Sequence, residues 1–157
     1  MKKMFLAGLV LSFLVTFTTA ALAARKPVVQ TTLPQMSEEE RAALASRAVE
    51  TLNQQGWTIY LTLQGAKRTA AQTDTLTFSG SGVVSQNLSA KGYGGSQYSL
   101  RVQDDGVAVW ETVQRDAQNN LAIWRGELRG NSLIGTSSLH SVDGATALYS
   151  FSTSVGQ

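Results

Sequence analysis

From residue 57 onward, apolar and polar side chains alternate with a period of two, beginning with Trp57, Ile59, Leu61 and Leu63. That is the spacing of a strand with one buried face. The pattern predicts eight short strands, at 57–64, 73–79, 82–88, 97–103, 107–115, 121–130, 133–140 and 145–153. Turn-forming residues separate them: Gly65, Ser79-Gly80-Ser81-Gly82, a loop with Gly92, Gly94 and Gly95, Asp104-Asp105-Gly106, Asp116–Asn120, Asn131-Ser132 and Asp143-Gly144. Connections this short make neighbouring strands antiparallel. Eight meandering strands escape exposed edges by closing on themselves, so the expected fold is mainly β, a single antiparallel up-and-down β-barrel with one N-terminal α-helix.

The helix is predicted just upstream, where the period is helical. Ser37 with Glu40 forms a capping box, and Glu38, Glu39 and Glu40 suit the positive end of a helix dipole. Leu44, Ala48, Val49 and Leu52 make its apolar stripe, and Gly56 is the expected stop. The acidic run reads as a solvated helix start rather than a metal site.

Turn chemistry fixes an expected register. A three-residue loop ending in a left-handed Gly106 sets Tyr98 opposite Thr112, Leu100 opposite Trp110 and Val102 opposite Ala108. The next turns place Trp110 across from Gly126, Trp124 across from Thr112 and near Ser138, and Leu128 against Ile134. They also set Ser138 by Tyr149 and Thr136 by Phe151. One face then collects Tyr98, Leu100, Trp110, Trp124, Leu128, Ile134, Tyr149 and Phe151, and the other Arg101, Gln103, Glu111, Arg125, Glu127 and Arg129. Val107, Val109 and Val113 fall on the charged outer face, where the helix is one candidate cover.

The first residues change the picture of charge. Met1-Lys2-Lys3, the apolar run Met4–Phe17 and Ala21-Leu22-Ala23 have the three parts of a secretory signal, with cleavage expected after Ala23. The expected organisation is a signal peptide at 1–23, a flexible linker at 24–36 and a helix-plus-barrel domain at 37–157, in a periplasmic or secreted protein. Loss of Lys2 and Lys3 takes the 13 Lys and Arg down to 11, equal to the 11 Asp and Glu. A balanced domain has no basic patch for nucleic acid. The chain contains no cysteine, which excludes disulfides, thiolate metal sites and lipoprotein processing. Charges on the outer face and the Ser-Val-Gly-Gln ending weigh against a membrane-inserted barrel, so no stable membrane insertion is expected after cleavage.

Catalytic motifs are sparse. Gly126, Gly130 and Gly135 in WRGELRGNSLIGT lack the Lys-Ser/Thr ending and following helix of a phosphate loop. His140 is the only histidine, too little for a zinc site, and no nucleophile elbow occurs. Glu111 and Glu127 on one face raise glycosidase-like chemistry, but Arg125 and Arg129 beside them make a charge ladder the simpler reading. No catalytic residue, metal or cofactor is therefore expected.

A small barrel with aromatic walls commonly holds one small ligand. Tyr98, Trp110, Trp124 and Tyr149, with His140 at a hairpin end near the rim, form the candidate ligand set. The loop Ser89–Gln97 is the candidate lid. A small apolar or amphipathic ligand is the expected partner; an envelope structural or protein-interaction module with a filled core, its protein partner unspecified, is the alternative, and a small hydrolase is a third.

Residues 74–153 resemble a group of exported, mostly uncharacterised bacterial β-barrel proteins of calycin-like (lipocalin/avidin-like) character. The resemblance lies in Asp74-x-Leu76-x-Phe78, then Gly82, Ser85, Gly92-Tyr93 and Tyr98. It continues at Trp124, Gly126, Gly130 and Gly135 and closes with Tyr149-x-Phe151. Gly56-Trp57 is similar to the Gly-x-Trp opening of lipocalins and avidins, though here the pair is contiguous. The resemblance implies a barrel and an envelope location, and no activity.

Overall fold

The computed structural model describes residues 36–66 and 71–154; the signal peptide and all of the linker before Met36 lie outside them. The chain begins with α1 (Glu38–Asn53), whose capping box forms as expected. The Ser37 hydroxyl accepts from the Glu40 amide, and the Glu40 carboxylate accepts from the Ser37 amide, both at 3.1 Å. Leu52 and Ala48 are buried, and Leu44 and Ala45 pack beside them.

The helix does not end on a left-handed glycine. Its C-cap is Gln54, in a right-handed conformation, and Gly56 is already the first residue of a strand. The Trp57 indole donates to the Leu52 carbonyl at 3.0 Å. A last-turn carbonyl is thereby satisfied by a side chain, which removes the need for a glycine cap.

The strands are β1 (Gly56–Leu63), β2 (Gln72–Ser79), β3 (Gly82–Ser85), β4 (Ser96–Val102), β5 (Ala108–Arg115), β6 (Leu121–Arg129), β7 (Ser132–His140) and β8 (Thr146–Ser152). They pair in sequence order, every pair antiparallel, and β8 returns to β1 to close the barrel, with Leu61 opposite Phe151 and Leu63 opposite Tyr149. The expected register across β4, β5 and β6 is the observed one, from Leu100–Trp110 to Trp110–Gly126 and Thr112–Trp124. Val109 is buried on the outer side between its partners Arg101 and Glu127, while Val113 is exposed.

Two further expectations are corrected. The third strand stops at Ser85, and Gln86–Ser89 form a short helix, α2. The Ser85 hydroxyl accepts from the Leu88 amide at 3.1 Å and Asp74 accepts from the Asn87 amide at 2.9 Å, so these amides turn away from the β4 ladder. The second correction is the register of β7. The turn after β6 contains only Gly130 and Asn131, with Gly130 at φ +58°, and Arg129 pairs with Ser132. Leu128 therefore faces Leu133 rather than Ile134, and Trp124 faces Ser137 rather than Ser138. Tyr149 and Phe151 meet Ser137 and Gly135 in the same shift. Leu133, Gly135, Ser137 and Leu139 consequently take the inner phase of the strand, and Ile134, Thr136, Ser138 and His140 the outer.

Packing accounts for this register. A side chain on Gly126 would lie 2.5 Å from the Trp110 ring, and one on Gly135 would lie 2.7 Å from Phe151 and 2.2 Å from the Arg125 carbonyl. The paired glycines form a notch in the wall that admits two large rings.

The inner space is filled at one end only. There α1 lies across the turns: the Arg41 guanidinium donates to the Val102 carbonyl and to Asp104, and Asn53 donates to the Gly80 carbonyl. Phe78 meets Tyr98 and Trp110 edge-on, at 5.3 and 5.1 Å between ring centres. Edge-to-face pairs at such distances are a favoured arrangement of aromatic rings in a core. The opposite end is built from other residues.

Candidate ligand-binding site at the open end of the barrel

At the end away from α1, the barrel interior opens into a cavity of about 430 Å³. Its apolar wall comes from Leu61 on β1, Leu88 on α2 and Leu139 on β7, together with Trp124 and Tyr149. Gln72, Asp74, Asn87 and Lys91 provide the polar part. The volume falls in the range of small-molecule sites, roughly 300–1,000 Å³.

The α2 side of the mouth is held by a buried carboxylate. Asp74 is in inward phase with Leu76 and Phe78 and is only 4% exposed. It accepts from the Ser85 hydroxyl at 2.6 Å, the Thr75 amide at 2.7 Å and the Asn87 amide at 2.9 Å. Asn87 answers by donating its side-chain amide to the Thr73 carbonyl at 2.7 Å. A buried carboxylate is tolerable where such donors surround it. Here they also explain why a four-residue helix is stable in this place.

The glycine-containing segment that follows is pinned rather than loose. The Tyr93 amide donates to the Leu88 carbonyl, the Gly94 amide to the Arg115 carbonyl at 3.1 Å, and the buried Gln114 side chain to the Gly94 carbonyl at 3.0 Å. Beside it, Asp116 accepts from the Asn120 side chain, the Asn120 amide and the Gln118 amide. Burial opposes ionisation of Asp116, but these donors outweigh it and hold its carboxyl below the ordinary value. Burial, and then the charge of Asp116, push the Tyr93 hydroxyl up.

At the floor of the cavity, Trp124 and Ser137 are cross-strand partners, 2% and 1% exposed. The Trp124 indole nitrogen and the Ser137 hydroxyl are buried with no hydrogen-bond partner among the described residues, and so is the Trp110 indole nitrogen in the packed half. Such groups are uncommon, because an unmet buried donor carries the full cost of desolvation.

The five residues expected to form a ligand set separate into three groups. Trp124 and Tyr149 line the cavity. Tyr98 and Trp110 belong to the packed half, where the Tyr98 hydroxyl donates to the Gly80 carbonyl at 3.1 Å and Trp110 is wholly buried. His140 is in outer phase on β7, with its ring near the Ser138 and Thr146 hydroxyls at 3.0 and 3.3 Å. Asp74, Ser137, Leu139 and the α2 residues were not in that set. The inward phase of Asp74 was visible beside Leu76 and Phe78; Ser137 and Leu139 needed the two-residue turn.

The outer face has its own features. Glu111 is ion-paired with Arg125 and lies 3.7 Å from Arg101, and Glu127 pairs with Arg129 at 2.7 Å. No group of three or more metal-ligating side chains occurs among the described residues. A wider, shallower groove of about 680 Å³ crosses β4 to β6, lined by Ser99, Glu111, Val113, Ile123 and Arg125 among others. Val113, Ile123 and Leu148 are exposed there and near it, in one cross-strand row that passes through Ser138. Several wall residues of the smaller cavity, Leu61, Leu88 and Trp124 among them, are buried. The groove is built on solvated ion pairs.

No protein-family model matches the chain, and no curated protein or solved structure matches it.

Proposed function

We propose that this protein is an exported, non-enzymatic barrel of calycin-like character that binds a small apolar or amphipathic molecule in the cavity at its open end. The observation that carries the reading is the asymmetry of the barrel interior. Aromatic rings fill the half beneath α1, whereas Trp124, Tyr149, Leu61, Leu88 and Leu139 surround about 430 Å³ at the other. At the ~30 Å³ that a water-sized group takes in liquid, this volume accommodates about 14 non-hydrogen atoms. The signal-like residues 1–23 support a periplasmic or secreted location. The proposed partner is a small molecule rather than nucleic acid, in line with the balanced charge of the chain without Lys2 and Lys3. The charge pairs of Glu111 and Glu127 support a structural rather than a catalytic part for both.

A second reading, an envelope module that meets a protein partner, is favoured by the exposed row of Val113, Ile123 and Leu148. Native mass spectrometry of the mature chain purified from its host separates the two. Ligand binding predicts a retained small molecule that disappears in Leu139→Trp, a variant that fills the cavity. A partner protein lost on Ile123→Asp, with an unoccupied barrel, would favour the module.

A further inference from the structure

We propose that the ligand of the open-end cavity is an anionic amphiphile: a single apolar chain that enters tail first and leaves a negatively charged head at the rim, where the Lys91 ammonium pairs with it. The inference rests on the reading of the cavity as a ligand site and adds the chemical class of the ligand.

The lining is sorted by exposure. Leu61, Leu88 and Trp124 are buried, and Leu139 and Tyr149 are half-buried. Gln72, Asn87 and Lys91 belong to the same lining and are exposed. The polar side chains are thus the ones that meet water, and the apolar ones are those shielded from it. A ligand matched to this order has an apolar body inside and its polar group at the rim, where that group keeps its hydration. The capacity of about 14 non-hydrogen atoms holds one short chain, not the two chains of a membrane lipid.

Charge sets the sign of the head. The carboxylates in the wall and turns of this end are engaged locally. Asp74, 4% exposed, accepts from Ser85, Thr75 and Asn87; Asp116 accepts from Asn120 and Gln118; Asp143 accepts from the Ala145 amide. The Arg115 side chain donates to Asn119. The Lys91 ammonium has no ion pair among the described residues, and it is the one exposed charge in the lining. Lys91 stands two residues beyond α2, so its flexible stem can lie along the cavity edge while the ammonium stays in water. An anionic head meets this cation. A cationic head would meet it too, and would find Asp74 buried and already supplied with donors.

Three probes with one tail test the inference: octanoate, octanol and octylammonium, each smaller than the cavity's capacity. Calorimetric titration of the mature chain at low salt is expected to give saturable binding, with octanoate tighter than octylammonium. Amide shifts at Leu88 and Leu139 report that a probe occupies the cavity. In Lys91→Gln, the affinity ratio of octanoate to octanol is expected to fall about two- to fivefold, the range of an exposed ion pair, and added salt should produce the same fall in the parent chain. Lys91→Glu reverses the order, with octylammonium above octanoate. Lys91 is exposed, so both variants should keep the parent's unfolding midpoint. A ratio unchanged in both variants, or octylammonium tighter than octanoate in the parent, while the probes still shift Leu88 and Leu139, would overturn the anionic class and leave the cavity as a ligand site. Failure of all three probes to bind would remove both the inference and the reading beneath it.

Discussion

The barrel's helix-side core rests on a glycine, and Gly126→Ala tests that directly. Gly126 lies within β6 with no positive φ, so alanine is conformationally permitted there. On backbone entropy alone the substitution would stabilise the protein by about 0.4–1 kcal/mol. Space reverses the sign. The new methyl would sit 2.5 to 2.6 Å from the Cε2, Cζ2 and Nε1 atoms of Trp110. That indole cannot retreat easily: it is fully buried, with Phe78 edge-on at 5.1 Å and Phe151 at 6.2 Å. Overpacking of a tight core costs about 1–3 kcal/mol, and for a domain of this size the loss corresponds to a Tm drop on the order of 5–15 °C. Urea and thermal unfolding, followed by circular dichroism, measure it. The smaller ring in Trp110→Phe withdraws the contact, so the double variant should lose less stability than the sum of the single losses. Equal or greater stability of Gly126→Ala than of the parent would refute the argument.

Three further outcomes follow from the same geometry. Gly135→Ala should be worse than Gly126→Ala, because its methyl meets the Arg125 carbonyl at 2.2 Å, a backbone atom rather than a ring; soluble yield and unfolding midpoint measure this. Asp74→Ala leaves three donors without their acceptor and should cost about 2–4 kcal/mol, with faster amide exchange at Asn87 and Leu88 reporting the loosening of α2. For Asp116, the folded pKa lies below its ordinary 3.8, so ionised Asp116 adds stability above that pH, and the contribution is lost as pH falls through the lower folded value. Stability measured between pH 4 and pH 2 should therefore decline less steeply in Asp116→Asn.

What could be read from the residues depended on how far each inference was from a local rule. The capping box at Ser37 and Glu40 is a local hydrogen-bond pattern, and it appears as expected. The β4–β5–β6 register followed from turn chemistry near Gly106 and the Gln118 region, together with separation of rings from charges. The β7 register did not, because Gly130-Asn131-Ser132 supports turns of two or three residues equally well. The choice between them rests on whether Gly135 lies beside Phe151, a contact between residues in different hairpins. One residue of slip exchanges the two faces of a strand. That slip is why Ile134 was expected inside and why Ser137, at the cavity floor, was not. The helix α2 was hidden for a similar reason: Val83, Val84 and Leu88 read as strand, and the acceptor that stabilises the turn is Asp74, on a different strand. Trp124 and Tyr149 were legible because large rings in inward phase are visible whatever the neighbouring register.

The central claim is that the open end, and no other surface, receives a small apolar molecule. The most direct measurement is a two-dimensional amide and indole NMR titration of the mature chain with isopentylbenzene. Saturable shifts confined to Leu61, Leu88, Trp124, Leu139, Tyr149 and their neighbours are predicted, with Trp57 and Val102 silent and the whole response abolished in Leu139→Trp. Shifts centred on Val113, Ile123 and Leu148, or persisting undiminished in Leu139→Trp, would contradict it.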